Sequence, residues 1–583
     1  MKRLAPVDAV IVGGGWNGLL MASELTRRTG LSVVVLERGE ARKTQDYAAG
    51  MDELDYGIRL RMMQAIRDET VTLRHQTRER ALPIRQYGSF LPGSGVGGAG
   101  EHWSGISYRY QPRDFRLLSH LCEKYGARSL PPDHALADWP VTYDELEPYY
   151  DRTEKMMGVS GKAGNLRGKR IEGGNIFEGP RSAEYPTPPM KSPYLAALFG
   201  EAARKLGYHP YPLPAATTSV DYTNPDGVSR AGCSFCGYCE RFGCMIGAKS
   251  QPTNTLMPLL RGKKKFELRA GAWVRRIIAK DGQAQGVNYV DSKGEEVFQP
   301  ATMVFLASWT LNNTRLLLLS QIGEPYDPAS GKGVVGRGLT HQVSTAAATA
   351  FFDKPLNRFM GAGSAGTAIG DFDGDAFDHA EANFLGGGTL YTVCYGFRPM
   401  ANFGVVPASV RSRWGREWKK SALEFYDRTG RISFYGEHLA YRQNYMDLDP
   451  TYKDHLGDPL LRLTLDWQDN ERRMASFMSG KAVEIARAMG AQEITRFPGL
   501  GRYDTTRYQS THLQGGAIMG ANETESVVNW YLQHWRVPNL FVLGASAFPQ
   551  NPSGNPTLTA VALTYRTADA VIDRYLKHPG TLV

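Results

Sequence analysis

Cysteine is scarce in this chain of 583 residues: six in all, four of them within twelve residues and Cys122 and Cys394 alone. That distribution excludes a secreted disulfide scaffold. No apolar run is long enough for a transmembrane helix, which needs about 20 residues. No C-x-x-C-H is present, so the chain attaches no c-type haem. Residues 1–6 have no apolar signal core, twin arginine or cleavage site, the pattern of a chain made and folded in the cytoplasm. Charge of one sign is not concentrated either. Lys+Arg number 68 against 59 Asp+Glu, a mild excess of +9, and short runs such as Lys263-Lys264-Lys265 read as solvated turns. Without a basic stripe, nucleic-acid binding is not expected. What remains is an ordinary globular balance, 42% hydrophobic and 22% charged, which excludes disorder and collagen. Length alone suggests about four domain-sized units, or two interleaved ones.

The chain opens on a nucleotide-binding pattern. Residues 8–12 (DAVIV) read as a buried parallel strand, and GGGWNG follows with glycines at 13, 15 and 18. A helix is expected from about residue 19 to 28. A second apolar strand over 32–36 ends at Glu37. Gly13 permits the tight turn, Gly15 lets the backbone approach a pyrophosphate, and Gly18 lets helix and strand pack closely. Phosphates are favoured at the helix N-terminus by free N–H groups and the dipole. Glu37 is positioned to accept a hydrogen bond from a ribose hydroxyl. A second glycine-rich segment, residues 90–105 (FLPGSGVGGAGEHWSG), contains Gly97, Gly98, His102, Trp103 and Ser104. Its apolar and aromatic flanks set it apart from a Ser-rich flexible linker, and its glycines let backbone press against a flat or charged ligand.

Near the C-terminus stand THLQGGAIMG from Thr511, a strand over 539–543 leading to Gly544-Ala545, and GNPTLT opening a last helix. Gly544 and Ala545 suit a second approach to the cofactor. Taken singly, His512 reads as a core histidine and Asn555 as a helix cap.

With the N-terminal fingerprint, these segments resemble the glucose–methanol–choline (GMC) oxidoreductases over essentially the whole chain. The NLFVLGAS strand, the GNPTLT helix start, Val334-Val335-Gly336-Arg337 and the strand over 303–307 carry the likeness. GVGGAGEHWSG, CSFCGYC and YQSTHLQGGAIMG narrow it to flavoprotein subunits of bacterial membrane-bound sugar and sugar-acid dehydrogenases. The resemblance implies an α/β fold in which a Rossmann-like FAD-binding domain (1–110, 225–345, 500–583) is interleaved with a substrate domain (111–224, 346–499) built on a mostly antiparallel sheet. It maps the family's active-site pair onto His512 and Asn555. A neutral imidazole suits a general base, while Asn555 holds the substrate oxygen and the cofactor carries the redox chemistry. The implied reaction is oxidation of D-gluconate to 2-ketogluconate. Oxidation of 2-ketogluconate, sorbitol or fructose, or a non-catalytic electron-transfer or assembly role, stands as the alternative. The residue pair Glu101-His102 before Trp103 also resembles the His-Trp-Thr of pyranose oxidases, implying a covalent bond between His102 and the flavin.

Cys233, Cys236, Cys239 and Cys244 are spaced by three, three and five. Such clustering resembles an iron–sulfur run; structural zinc and redox disulfides are the alternatives. The relatives carry a three-iron, four-sulfur cluster here, and the fourth cysteine leaves a four-iron cluster open. The resemblance further implies a multi-haem cytochrome c subunit passing electrons to quinone and a small signal-bearing subunit. It places the complex on the periplasmic face, with membrane contact only through those partners. Asp371, Asp373 and Asp375 suggest a calcium loop but lack the later bidentate Glu, so a polar turn is expected.

Overall fold

The computed structural model describes residues 1–47, 67–68, 70–85, 89–358, 361–379, 382–394, 403–507 and 510–583. Tyr508 and Gln509 of the YQSTHLQGGAIMG motif lie outside the described residues.

The N-terminal strand Val7–Val12 is apolar on both faces, and Ala9, Val10 and Ile11 are fully buried, as expected for a central parallel strand. It pairs in parallel with Val33–Glu37 on one side and Glu296–Leu306 on the other. The sheet order is Phe266–Ala270, Val33–Glu37, Val7–Val12, Glu296–Leu306, Gln283–Val290, Trp273–Lys280. The strand Glu296–Leu306 serves two neighbourhoods. Its first half pairs antiparallel with Gln283–Val290, and its second half pairs in parallel with Val7–Val12 and with Leu540–Val542. Segments far apart in sequence therefore meet at one edge, where the strand ends face a common cleft.

A second, antiparallel sheet runs in the order Glu493–Arg496, Val343–Phe351, Thr429–Gly436, Gly388–Val393, Gly366–Ile369, Pro210–Pro212. The helix Asp469–Ala488 packs on it through Met474, Met478, Ala482 and Ile485, spaced three or four apart along one face. A Rossmann-like unit beside an antiparallel sheet is the expected α/β fold class. Among the described residues no helix is long and apolar enough to cross a membrane.

Candidate active site

The glycine turn is held by close approach. Gly13 has φ +104°, and a Cβ there would lie 2.5 Å from the Ala307 carbonyl oxygen. At Gly18 a Cβ would lie 1.9 Å from the Gly13 carbonyl oxygen. Helix Trp16–Arg28 starts at Gly15 without a side-chain cap, and Gly15, Trp16 and Asn17 line the cleft, so the helix start suits an anion there. Glu37 is buried at the end of its strand. Its Oε2 accepts from the Gly14 N–H (2.9 Å) and its Oε1 from the Gly39 N–H (2.9 Å). The carboxylate thus braces the turn and also lines the cleft.

One cleft gathers most of the expected cofactor contacts: Gly13, Gly15, Glu37, Gly97, Gly98, Trp103, Gly544 and Ala545 all line it. Gly18 sits behind it as packing. His102 and Ser104 are not among the lining residues. His102 is buried, and burial followed by the charges of Lys249, Arg241 and Arg42 pushes its imidazole down to about 3. The ring is therefore neutral, and it hydrogen-bonds the Leu91 backbone. Glu101 proves to be an anchor. Its buried carboxylate accepts from Tyr47 Oη (2.8 Å), Gln251 Nε2 (2.7 Å) and Thr253 Oγ1 (2.8 Å), tying the glycine-rich loop to residues 251–253. Trp309 also lines the cleft, with φ +73°, a conformation rare for a bulky residue. Its Nε1 donates to the Thr511 carbonyl at 3.2 Å. Nothing in the local sequence marks Trp309.

Thr511 and Pro556, chain neighbours of His512 and Asn555, line the same cleft. Asn555 Nδ2 lies 3.4 Å from His512 Nε2. The final helix begins at Thr557 with no side-chain cap bond, so Asn555 is turned to the imidazole rather than to the helix end. Its Oδ1 is buried and makes no hydrogen bond among the described residues. Burial pushes His512 down to about 4, which keeps it neutral near pH 7. Tyr435 flanks it, with ring centroids 6.1 Å apart.

A shell of glycine backbone, an uncapped helix start, a carboxylate at the second strand end and aromatic walls at Trp16, Trp103 and Trp309 fits FAD in its chemistry. Family models described as GMC oxidoreductase match residues 130–344 and 440–564, and one for an NAD(P)-binding Rossmann-like domain matches 11–60. The chain belongs to the GMC oxidoreductase family. It is thus an FAD-dependent oxidoreductase acting on CH–OH groups. It is 46% identical to the gluconate 2-dehydrogenase flavoprotein of Pantoea cypripedii over 100% of this chain and 96% of that one. It is 27% identical to the fructose dehydrogenase large subunit of Gluconobacter japonicus over 97% and 98%. Pyridoxine 4-oxidase from Mesorbium loti shares the fold at TM-score 0.60, with 18% identity over 98% of this chain and 100% of that one.

The cysteine segment lies beside this cleft. All six cysteines are free thiols. Cys239 and Cys244 are buried, Cys233 and Cys236 half-buried. Burial raises Cys233 to about 11 and Cys239 to about 12, and the neighbouring thiols add to both shifts. Among the described residues no three His, Cys, Asp or Glu side chains converge closely enough to hold a metal ion. The donor chemistry still suits an iron–sulfur core: four thiols on one short loop, beside a buried ammonium. Lys249 Nζ donates to the carbonyls of Trp103 (2.8 Å), Cys239 (2.8 Å) and Phe242 (2.7 Å), bridging the cleft wall to the cysteine loop. The aspartates at 371–375 each have a protein partner of their own. Asp371 bonds His209, Asp373 accepts from Ser553 Oγ (2.7 Å), and Asp375 accepts from Tyr125 Oη (3.0 Å). The segment forms a polar turn.

Proposed function

We propose that this chain oxidises the 2-hydroxyl carbon of D-gluconate to 2-ketogluconate, as the flavoprotein of a multi-subunit dehydrogenase. The observation that carries the reading is the neutral His512 imidazole against Asn555 at the edge of the dinucleotide cleft. The full-length likeness to the Pantoea flavoprotein supports the substrate. Bound FAD supplies the hydride acceptor. His512 Nε2 takes the hydroxyl proton, and the Asn555 side chain holds the substrate oxygen, so that the C–H bond weakens as the alkoxide develops. Anaerobic titration of the FAD-loaded protein with gluconate should bleach the visible flavin band. Bleaching by 2-ketogluconate, sorbitol or fructose instead would reassign the substrate, and none by any polyol would favour a non-catalytic subunit.

The same proposal extends to the electron exit. Cys233, Cys236, Cys239 and Cys244 would hold an iron–sulfur cluster, three-iron or four-iron. It would hand single electrons to a multi-haem cytochrome c subunit and quinone. Binding must deprotonate the thiols and supply the energy that gathers them. Iron and acid-labile sulfide on anaerobically purified complex check it; iron-free, active complex would overturn it. A small signal-bearing subunit would carry the folded chain to the periplasmic face. Native protein confined to the cytoplasm with its partners present would refute that location. A covalent bond from His102 to the flavin is the remaining expectation. The neutral imidazole supports it, since an attacking nitrogen must be unprotonated. Acid precipitation decides: flavin released wholly into the supernatant means that His102 is only a neighbour.

A further inference from the structure

We infer that Gln342 sets the tautomer of His512 and so decides which ring nitrogen is free to take the substrate's proton. The inference rests on the reading of His512 as base and adds a positioning residue to it. No sequence motif marks Gln342; chain register does. Thr340–His341 pairs antiparallel with Leu513–Gln514, Thr340 opposite Gln514 and His341 opposite Leu513. The next position along the ladder sets Gln342 opposite His512, and the Gln342 N–H donates to the His512 carbonyl at 3.4 Å.

The Gln342 side chain is fully buried, and both ends of its amide are committed. Nε2 donates to the carbonyls of Pro552 (3.2 Å), Ser553 (2.8 Å) and Gly554 (2.8 Å). Oε1 lies 2.6 Å from His512 Nδ1. Turning the amide over would set Oε1 against three carbonyl oxygens, all acceptors, so the orientation is settled by the loop. Oε1 accepts only, and Nδ1 must therefore carry the proton. In the neutral ring that leaves the lone pair on Nε2, the nitrogen beside Asn555. The hydrogen bond at one ring nitrogen fixes the state of the other. The three carbonyls belong to the residues just before Asn555, so one amide registers the base and its partner together. Asn551 Nδ2, donating to the His512 carbonyl at 2.9 Å, holds the same backbone from the other side.

The test uses the FAD-loaded full chain with Gln342→Met, which keeps bulk but offers no acceptor, and Gln342→Glu, whose carboxyl, held protonated by the three carbonyls in place of Nε2, still accepts from Nδ1 through its other oxygen. Two readouts are taken: the histidine ring 15N spectrum, with His512 assigned by its loss in His512→Ala, and anaerobic single-turnover flavin reduction by gluconate. The parent should show His512 as the Nδ1–H tautomer. Gln342→Met should shift it toward Nε2–H and slow reduction on the order of 10²-fold, short of the roughly 10⁴-fold known for a base held wholly in the wrong tautomer. Gln342→Glu should keep the parental tautomer and restore the rate to within about tenfold. An unchanged tautomer and rate in Gln342→Met, with His512→Ala still slow, would overturn the role of Gln342 alone. An unimpaired His512→Ala would instead overturn the reading of His512 as base.

Discussion

The glycine turn at 13–18 lines the cleft and His512 sits beside it, next to Thr511 in the wall, yet they are built by different means. The turn is made mostly by neighbours, Gly13 against Gly18 and Gly14 against Glu37, with Gly97, Ala307 and Ser308 brought from afar. His512 is set by groups from two distant stretches: Gln342 and Asn555 at the ring, with Asn551, beside Asn555, at its backbone carbonyl. A binding surface of backbone N–H groups tolerates local construction, because every residue supplies the same donor. A base needs one nitrogen, in one protonation state, aimed at one place. Only side chains converging from several elements supply that.

Gly18→Ala should break the contrast most severely, because its Cβ meets backbone, not a side chain that can move. We expect nearly complete loss of bound flavin and a marked fall in Tm, beyond the roughly 1–3 kcal/mol usual for overpacking. Flavin content and a thermal melt check it. His512→Ala should leave flavin content intact and slow single-turnover reduction by on the order of 10²–10⁴. If flavin were lost as well, the two regions would not be separable. Glu37→Ala should be milder. It removes two acceptors from the turn and one from the ligand, weakening FAD by roughly 10–100-fold, measured by titrating the deflavinated protein.

The last prediction concerns acid. His102, His341 and His438 are pushed by burial to about 3, and His512 and His534 to about 4. In the unfolded chain they titrate near 6.5. Between those values the unfolded state binds more protons, so stability rises with pH across the window and falls as pH drops from about 6.5 toward 4. Tm should fall over that range. Flavin reduction at the same pH should hold until His512 itself protonates near 4.

Much of the first region was legible in residue order. A strand, G-x-G-x-x-G, helix and terminal Glu describe one continuous piece of chain. The structure adds that Gly18 packs and Glu37 braces the turn as well as lining the cleft. His512 and Asn555 were legible as a pair only through family likeness. Taken singly, Asn555 read as a helix cap, and the helix start at Thr557 shows it turned elsewhere. The cysteine spacing places four thiols on one short loop, but spacing reports reach along the chain and not convergence. Trp309 and Gln342 carried no signal at all.

What the sequence by itself determined is the dinucleotide turn, since it follows from periodicity and steric freedom within a few tens of residues; the α/β plan was legible through family likeness. The tertiary structure alone decided the tautomer of His512, the facing of Asn555 and the bridge from Lys249 to the cleft wall. Each of these depends on strand register and loop packing between residues far apart in the chain. A one-residue shift of the ladder at Thr340–His341 would turn Gln342 to the opposite face, and no local feature of the sequence would record the change.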